Sequence, residues 1–582
     1  MKNRGPDATE SYCDQTAALH HNRLSVMDPE KGRQPMTATF EGKEYTIVYN
    51  GEIYNSPELR RELVPYGADF KTQCDTETVL WSYIILGKEC VNKLNGIFAF
   101  CVYDKTERKV FMARDRLGVK PFFYTLSGDT FLFASEVKAL LEHETVSRKV
   151  DPTGLWQLIF LAPVTLPGSG IFRDIKELKP AECGELTENG LHIYSYWKLE
   201  AKPWSGTAQT AAAETEALLT DAVKRQTVSD VPLCTFLSGG LDSSVLTALS
   251  ADIYRKRGEQ LSTYSFEYEG NKENFKQTLF QPQGDDTFAT FLATYLDTDH
   301  TVLTAPNQAV AKALLPAVDA RDFPGQADID SSLLSYCAQV KQKHTVALSG
   351  ECADEIFGGY PWFYRPEMLH RDFFPWVHEP MERASIFRKE FAKPQEGYAY
   401  LSEEYHKIIG NCATLPEDSE TMRTSRIATH LSVGYFMTSL LERKDRMSMY
   451  SGVEVRVPFA DHRIIEYVYN VPWEIKFENK VEKALLRNAA QRWLPEKILW
   501  RKKSPYPKTH SPAYRQRVTE MLEKRLKGQG ILSQVIDSKV LEAVLSGEDK
   551  TWLGQLMSTP QLIAWLIQFD YWAEKYRVEF VI

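Results

Sequence analysis

The sequence has no C-x-x-C pair, no internal repeat, no low-complexity tract and no long apolar run. Its nine cysteines are scattered and odd in number, which argues against a disulfide framework and a structural zinc site and for a reducing compartment. The longest apolar runs, 158–164 and 562–567, fall far short of the ~20 residues that cross a bilayer. The opening MKNRGPDATESYCD carries no hydrophobic stretch of a signal peptide, so cytoplasm is the expected location. An excess of positive charge is also missing: 69 Lys and Arg against 78 Asp and Glu give a net charge of −9, and nucleic acid is excluded as a main partner.

What is present is an enzyme-sized globule. At roughly 100–200 residues per domain, 582 residues make about two to four domains. With 43% hydrophobic residues and 29 Phe, 28 Tyr and 12 Trp, most of the chain has enough apolar surface to fold. Residues 1–198 read as β-rich. Short runs recur at 45–49, 97–103 and 110–113, and 122–126 with 131–134 form a hairpin around Ser127-Gly128-Asp129. Helices at 56–64 and 76–86 interrupt them, giving an α+β half. Residues 199–210, a Pro/Gly/Ser/Thr-rich stretch, read as a linker. From 211 to 582 the pattern is α/β: a helix at 211–228, a strand at 233–237, a helix from about Asp242, strands at 262–268 and 345–348, and a helical remainder from about Trp362.

Two strings carry chemistry. In 237–244, Leu-Ser-Gly-Gly-Leu-Asp-Ser-Ser follows a strand and opens a helix. Glycines for close approach, hydroxyls and a helix N-terminus suit a phosphate or pyrophosphate, and Asp242 offers the oxygen ligand that Mg²⁺ wants. It is no Walker A loop, since G-x-x-x-x-G-K-[ST] is absent. The second string, Leu348-Ser-Gly-Glu-Cys-Ala-Asp-Glu-Ile-Phe-Gly-Gly-Tyr360, also follows a strand. Loops leaving the carboxyl ends of neighbouring parallel strands share one crevice, so the two strings are expected to face each other.

The chain resembles the asparagine synthetase family over essentially its whole length. The amidotransferase half is carried by R-G-P-D (4–7), H-x-R-L-S (21–25), Q-P-M (34–36), Y-N-G-E-I-Y-N (49–55), D-T-E (75–77), G-I-F-A-F (96–100), A-R-D-R-L-G-V-K-P (113–121) and A-S-E-x-K-A-L (134–140). The synthetase half adds D-R-M-S-M (445–449), E-V-R-V-P-F (454–459) and K-x-x-L-R (483–487). The resemblance implies an N-terminal-nucleophile hydrolase-like α+β sandwich followed by an α/β ATP pyrophosphatase domain with a helical C-terminal part. It implies ATP and Mg²⁺, β-aspartyl-AMP formation, and attack by ammonia derived from glutamine. Ser238, Gly239, Gly240, Asp242, Ser243 and Ser244 would cradle pyrophosphate; Phe236, Phe266, Ser349 and Gly350 would line the nucleotide pocket. Asp242 and Asp354 would hold the metal, Glu351 would serve the adenylate step, and Lys483 would steady phosphate charge. Arg23, Asn50, Gly51, Glu52 and Asp75 would bind glutamine, with Asn50 and Gly51 as its oxyanion hole. Read alone, Asn50-Gly51 is a hairpin turn, and Lys483 and Arg487 are a solvated helix face.

Family members begin with a cysteine that supplies nucleophile and base, whereas residues 1 and 2 here are Met and Lys. The expectation is an N-terminally truncated domain; loss of glutaminase with use of free ammonia is the alternative. Small molecules are the expected partners, with no nucleic acid and no membrane, and a homodimer stays open. Two other functions stay open as well: an amide-forming enzyme for a different carboxylate, and a scaffold without activity. Residues 322–328, DFPGQAD, stand where aspartate-side contacts are expected and depart from the common form.

Overall fold

The first half of the chain folds into antiparallel sheets, its outermost strands alternating in burial and its central ones buried in continuous runs. A computed structural model describes residues 1–274, 286–369, 371–502, 509, 511–547, 550–553 and 557–582. A hairpin pairs β1 (Ala8–Cys13) with β2 (Ala18–Arg23). The main sheet takes in β3 (Met36–Phe40), β4 (Lys43–Ile53), β5 (Gly96–Asp104) and β6 (Lys109–Arg114). A second sheet holds β7 (Phe123–Ser127) and β8 (Thr130–Ala134), joined by a two-residue turn in which Gly128 adopts φ +59°. Then come β9 (Lys149–Val150), β10 (Lys176–Glu177), β11 (Glu182–Thr187) and β12 (Gly190–Ser195). The orders are β12-β11-β6-β5-β4-β3 and β10-β7-β8.

β5 is buried along nearly its whole length because both faces of its sheet are covered. On one side Val79, Leu80 and Trp81 of α2 (Asp75–Leu86), which follows α1 (Ser56–Leu63), pack on Phe98, Phe100 and Phe111. On the other side Val48, Cys101 and Met112 meet Leu19, Phe122 and Tyr124. Asn50-Gly51 is therefore no turn. It lies inside β4, opposite Ala99 and Phe98.

The expected linker is irregular only as far as Gly206. Thr207 caps α3 (Ala208–Gln226) by exchanging hydrogen bonds with Thr210, so this helix starts three residues earlier than its apolar pattern suggests. The second half is built on a parallel sheet. β13 (Leu233–Phe236), β14 (Ser262–Tyr268), β15 (Asp299–Ala305), β16 (Val346–Leu348) and β17 (Glu454–Arg456) lie in the order β15-β14-β13-β16-β17. β15 and β17 were not expected as strands: the first is a polar edge, and the second is three residues long with two buried charges.

Buried ion pairs tie the halves together. Arg4 Nη1 lies 2.8 Å from Asp445, and Lys120 Nζ lies 3.3 Å from Asp445 and 3.5 Å from Glu454. Lys138 pairs with Asp322 at 3.0 Å, and Arg446 lies 3.6 Å from the same carboxylate. Near the C-terminus, Glu579–Phe580 pairs in parallel with β9.

Candidate functional site

β13 ends at Phe236 and the chain turns through Ser238, Gly239 and Gly240 into α4 (Leu241–Lys256). Gly239 adopts φ +74°, and a Cβ there would stand 2.6 Å from the Ala289 backbone nitrogen, so only glycine fits. The Ser238 and Ser243 hydroxyls lie 3.0 Å apart, and the Ser238 hydroxyl accepts from the Gly240 N–H at 3.3 Å. Ser244 points inward instead: it is fully buried, and its hydroxyl has no hydrogen-bond partner among the described residues.

β16 lies beside β13 and ends at Leu348, so its loop leaves on the same side. The Ser349 N–H donates to the Arg456 carbonyl on β17 at 2.9 Å. Gly350 then passes directly over the start of α4, where a Cβ would sit 2.6 Å from the Ser243 nitrogen and 2.9 Å from the Asp242 carbonyl carbon. Both obstacles are backbone, so neither can swing aside. Gly350→Ala is expected to cost about 1–3 kcal/mol by overpacking, read as a lower urea midpoint, and to weaken nucleotide binding. Unchanged values of both would refute this packing of the two strings.

Lys483 joins the strings electrostatically. Its Nζ lies 2.8 and 2.9 Å from the Asp242 oxygens and 2.8 Å from Asp354 Oδ1, with Lys483 itself only 2% exposed. The two carboxylates raise its pKa against the opposing effect of burial, which by itself would favour the neutral amine. Arg487, four residues on in α5 (Ala484–Ala489), is buried too; it bonds Glu482 and the Leu499 and Arg501 carbonyls. The K-x-x-L-R string is thus buried, with Lys483 against both loops, and no solvated face. Glu351 Oε1 accepts from Arg443 at 2.8 Å, while Oε2 has no hydrogen-bond partner among the described residues. Phe236 and Phe266 both stand edge-on to Tyr336, with ring centroids 4.8 and 5.4 Å away.

The segment 322–328 divides its work. Asp322 is fully buried in the network between the halves, accepting from the Val137 N–H and Lys138, so it faces no crevice. Gln326 accepts from Arg443 at 2.7 Å and so reaches the crevice through the same guanidinium that holds Glu351. Arg443 lies in no motif of the sequence that points to the site.

Arg23, Asn50, Gly51, Glu52 and Asp75 all line one cavity of about 570 Å³ in the first half. Asn50 Nδ2 is buried with no hydrogen-bond partner among the described residues, a donor available to an oxyanion. Asp75 Oδ2 accepts from the Tyr49 hydroxyl and the Ile53 N–H. Arg23 donates to the Met27, Asp28 and Pro29 carbonyls, holding the loop at the cavity rim. Glu52 lies 3.4 Å from Arg456, another partner that the sequence did not reveal. Cys13, exposed at the end of β1, does not line this cavity.

His21 also lines the cavity, with Nε2 3.0 Å from the Tyr49 carbonyl. Burial pushes its pKa down to about 4 and neighbouring Arg23 adds to this, while the Tyr49 carbonyl opposes. Between its ordinary value of 6.5 and about 4, the unfolded chain binds this proton and the folded chain does not. The stability His21 lends should therefore be intact above pH 6.5 and fall as pH drops towards 4. Unfolding free energies of wild type and His21→Gln, compared from pH 7.5 to 4, should show the wild type losing its relative stability in that window. A pH-independent difference would contradict it.

The matches with known proteins follow the same division. A glutamine amidotransferase domain model matches residues 1–197, and an asparagine synthase model matches residues 214–574. Asparagine synthetase [glutamine-hydrolyzing] 3 of Bacillus subtilis is 44% identical over 585 residues, covering 100% of this chain and 95% of that protein. Asparagine synthetase B [glutamine-hydrolyzing] of Escherichia coli is 28% identical over 518 residues, covering 87% of this chain and 77% of the relative. With the phosphate-type loop, the acidic second loop and Lys483 joining them, these matches show that the chain belongs to the asparagine synthase family.

Proposed function

We propose that the chain makes asparagine: ATP activates the aspartate side-chain carboxylate as an acyl-adenylate, pyrophosphate leaves, and ammonia attacks the acyl carbon to release asparagine and AMP. The observation that carries this reading is the convergence of the Ser238–Ser243 loop, Asp242, Asp354 and Lys483 on one crevice. That arrangement occurs in a chain 44% identical over its full length to a glutamine-hydrolyzing asparagine synthetase.

Mg²⁺ suits this donor set. Asp242 and Asp354 already share one cation, the Lys483 ammonium, and two carboxylates with phosphate oxygens are a usual Mg²⁺ environment. Among the described residues no larger His, Cys, Asp or Glu cluster forms a metal cage, so substrate phosphates would supply the remaining ligands. The ion would neutralise phosphate charge as pyrophosphate departs.

The chain's own residues do the rest. The Ser238 and Ser243 hydroxyls and the N-terminal amides of α4 bind the leaving pyrophosphate. Phe236 and Phe266 offer flat apolar surface to the base, beside Ser349 and Gly350. Glu351, anchored through one oxygen by Arg443, keeps the other for a proton of the attacking ammonia. In the first half, Asp75 and Arg23 would hold glutamine's ammonium and carboxylate, Glu52 would complete the binding loop, and Asn50 with the Gly51 amide would receive the oxyanion.

The test is direct. Purified chain with aspartate, Mg²⁺-ATP and ammonium is expected to form asparagine, AMP and pyrophosphate in equal amounts. AMP and pyrophosphate formation dependent on a different carboxylic acid, with none from aspartate, would overturn the substrate; no AMP from any acid would overturn the reaction.

A further inference from the structure

We infer that Arg501 is a positioning residue for pyrophosphate, acting by fixing the orientation of the Gly239–Gly240 peptide. This rests on the ATP-dependent reading above.

The geometry starts from two glycines in sequence. A peptide unit between glycines has no side chain to resist rotation, and flipping it would turn a carbonyl oxygen towards the bound anion. That orientation repels phosphate, while the opposite one keeps the carbonyl turned away from the anion and leaves the helix end facing it. In the structure this peptide is held at both ends. The Gly239 carbonyl accepts from Arg501 Nη1 at 2.8 Å, and the Gly240 N–H donates to the Ser238 hydroxyl at 3.3 Å. Arg501 is 7% exposed, so water competes little for that carbonyl.

Arg501 is itself held in place. Its guanidinium lies over the Phe288 ring, 4.1 Å from the centroid, a cation–π stack that fixes the plane of the fork. Phe288 and Ala289 are the residues against which Gly239 packs, with Phe288 Cβ 2.8 Å from where a Gly239 Cβ would stand. The Arg501 carbonyl accepts from Arg487 Nη1 at 3.0 Å. α5 therefore acts twice on the phosphate loop: Lys483 at its start holds the two carboxylates, and Arg487 holds the turn that delivers Arg501. The buried guanidinium also adds positive charge beside the site where pyrophosphate accumulates charge on leaving. Lysine could supply that charge, but only the planar fork both stacks on Phe288 and bonds the carbonyl.

The consequence is selective for the β- and γ-phosphates. AMP has lost them and should not sense Arg501; ATP and pyrophosphate should. The experiment uses the full chain, Mg²⁺-ATP, aspartate and ammonium, with Arg501→Met and Arg501→Lys. For Arg501→Met, kcat/KM for ATP is expected to fall roughly 100-fold, the loss typical of removing one preorganised donor from an anion site. Inhibition by inorganic pyrophosphate should weaken at least ten-fold, while AMP binding and KM for aspartate stay within about three-fold. Arg501→Lys keeps a cation and a donor, and should lose about ten-fold by the same measures with its melting temperature unchanged; it carries the test if the methionine variant does not fold. Pyrophosphate and AMP weakening equally, or turnover falling with pyrophosphate inhibition unchanged, or neither variant differing from wild type, each overturns the inference. An inactive wild type would count instead against the enzymatic reading itself.

Discussion

Lys483→Met is expected to reduce ammonia-dependent turnover by about 10³-fold, at the upper end of what loss of one charged stabiliser costs an enzyme. Lys483 sits 2.8 Å from both Asp242 and Asp354, and its pKa is raised by them, so it is charged at any working pH. Methionine has similar volume and reach, which keeps the packing of a 2%-exposed residue and removes only the ammonium. Two effects follow. Asp242 and Asp354 lose the ammonium they share, and the leaving pyrophosphate loses a fixed positive neighbour. The first effect is moderated because the two carboxylate side chains are 20% and 16% exposed and can draw water. Water does not make good the second, the loss of a preorganised charge at the moment of bond breaking. Activity should therefore fall far more than stability: a melting temperature within a few degrees of wild type with turnover down about 10³-fold. Lys483→Arg should recover part of the turnover, because it keeps the charge. Turnover within ten-fold of wild type for Lys483→Met would remove Lys483 from the chemistry.

The α/β alternation and the two loop strings were legible because each rests on local chemistry: a strand, a glycine turn and a helix start within about a dozen residues. Their meeting was legible from topology alone, since β13 and β16 are parallel neighbours. What was not legible is the interface between the halves. R-G-P-D, A-R-D-R-L-G-V-K-P and D-R-M-S-M look like site motifs, yet Arg4 and Lys120 spend their charges on Asp445. These pairs span 441 and 325 residues, and no periodicity or spacing announces them. The same distance hides Arg443, which orients Glu351 from 92 residues away. Lys483 and Arg487 misread in isolation for the related reason that a buried cation looks like a surface one until its carboxylates are placed. Asn50-Gly51 has the composition of a turn, but the long β4–β5 ladder on both sides of it overrides the local preference.

Arg456→Met is expected to lower unfolding stability by about 3–5 kcal/mol, the cost of stripping the partner from buried charges. Arg456 is 1% exposed and stands where three elements meet. Its Nε donates to Glu454 at 2.9 Å, Nη2 lies 3.4 Å from Glu52, and Nη1 donates to the Gln226 and Val228 carbonyls. Burial, Asp75 and Glu454 push the Glu52 pKa well up, and Arg456 and Lys120 pull against them. Removing the guanidinium leaves Glu52 among like charges, and it escapes only by taking a proton or by moving. Either outcome disturbs the cavity it shares with Asn50, Gly51 and Asp75. Because the Arg456 carbonyl also receives the Ser349 N–H, the same strand borders both candidate sites, and the variant should loosen the nucleotide loop as well. Adding Glu52→Gln removes the stranded charge and should return about 1–3 kcal/mol, a coupling that a urea double-mutant cycle reads directly. Strict additivity of the two substitutions would mean that the Arg456–Glu52 pair carries no energy of its own. The role of Arg456 would then reduce to its bonds with Glu454 and the Gln226 and Val228 carbonyls at the end of α3.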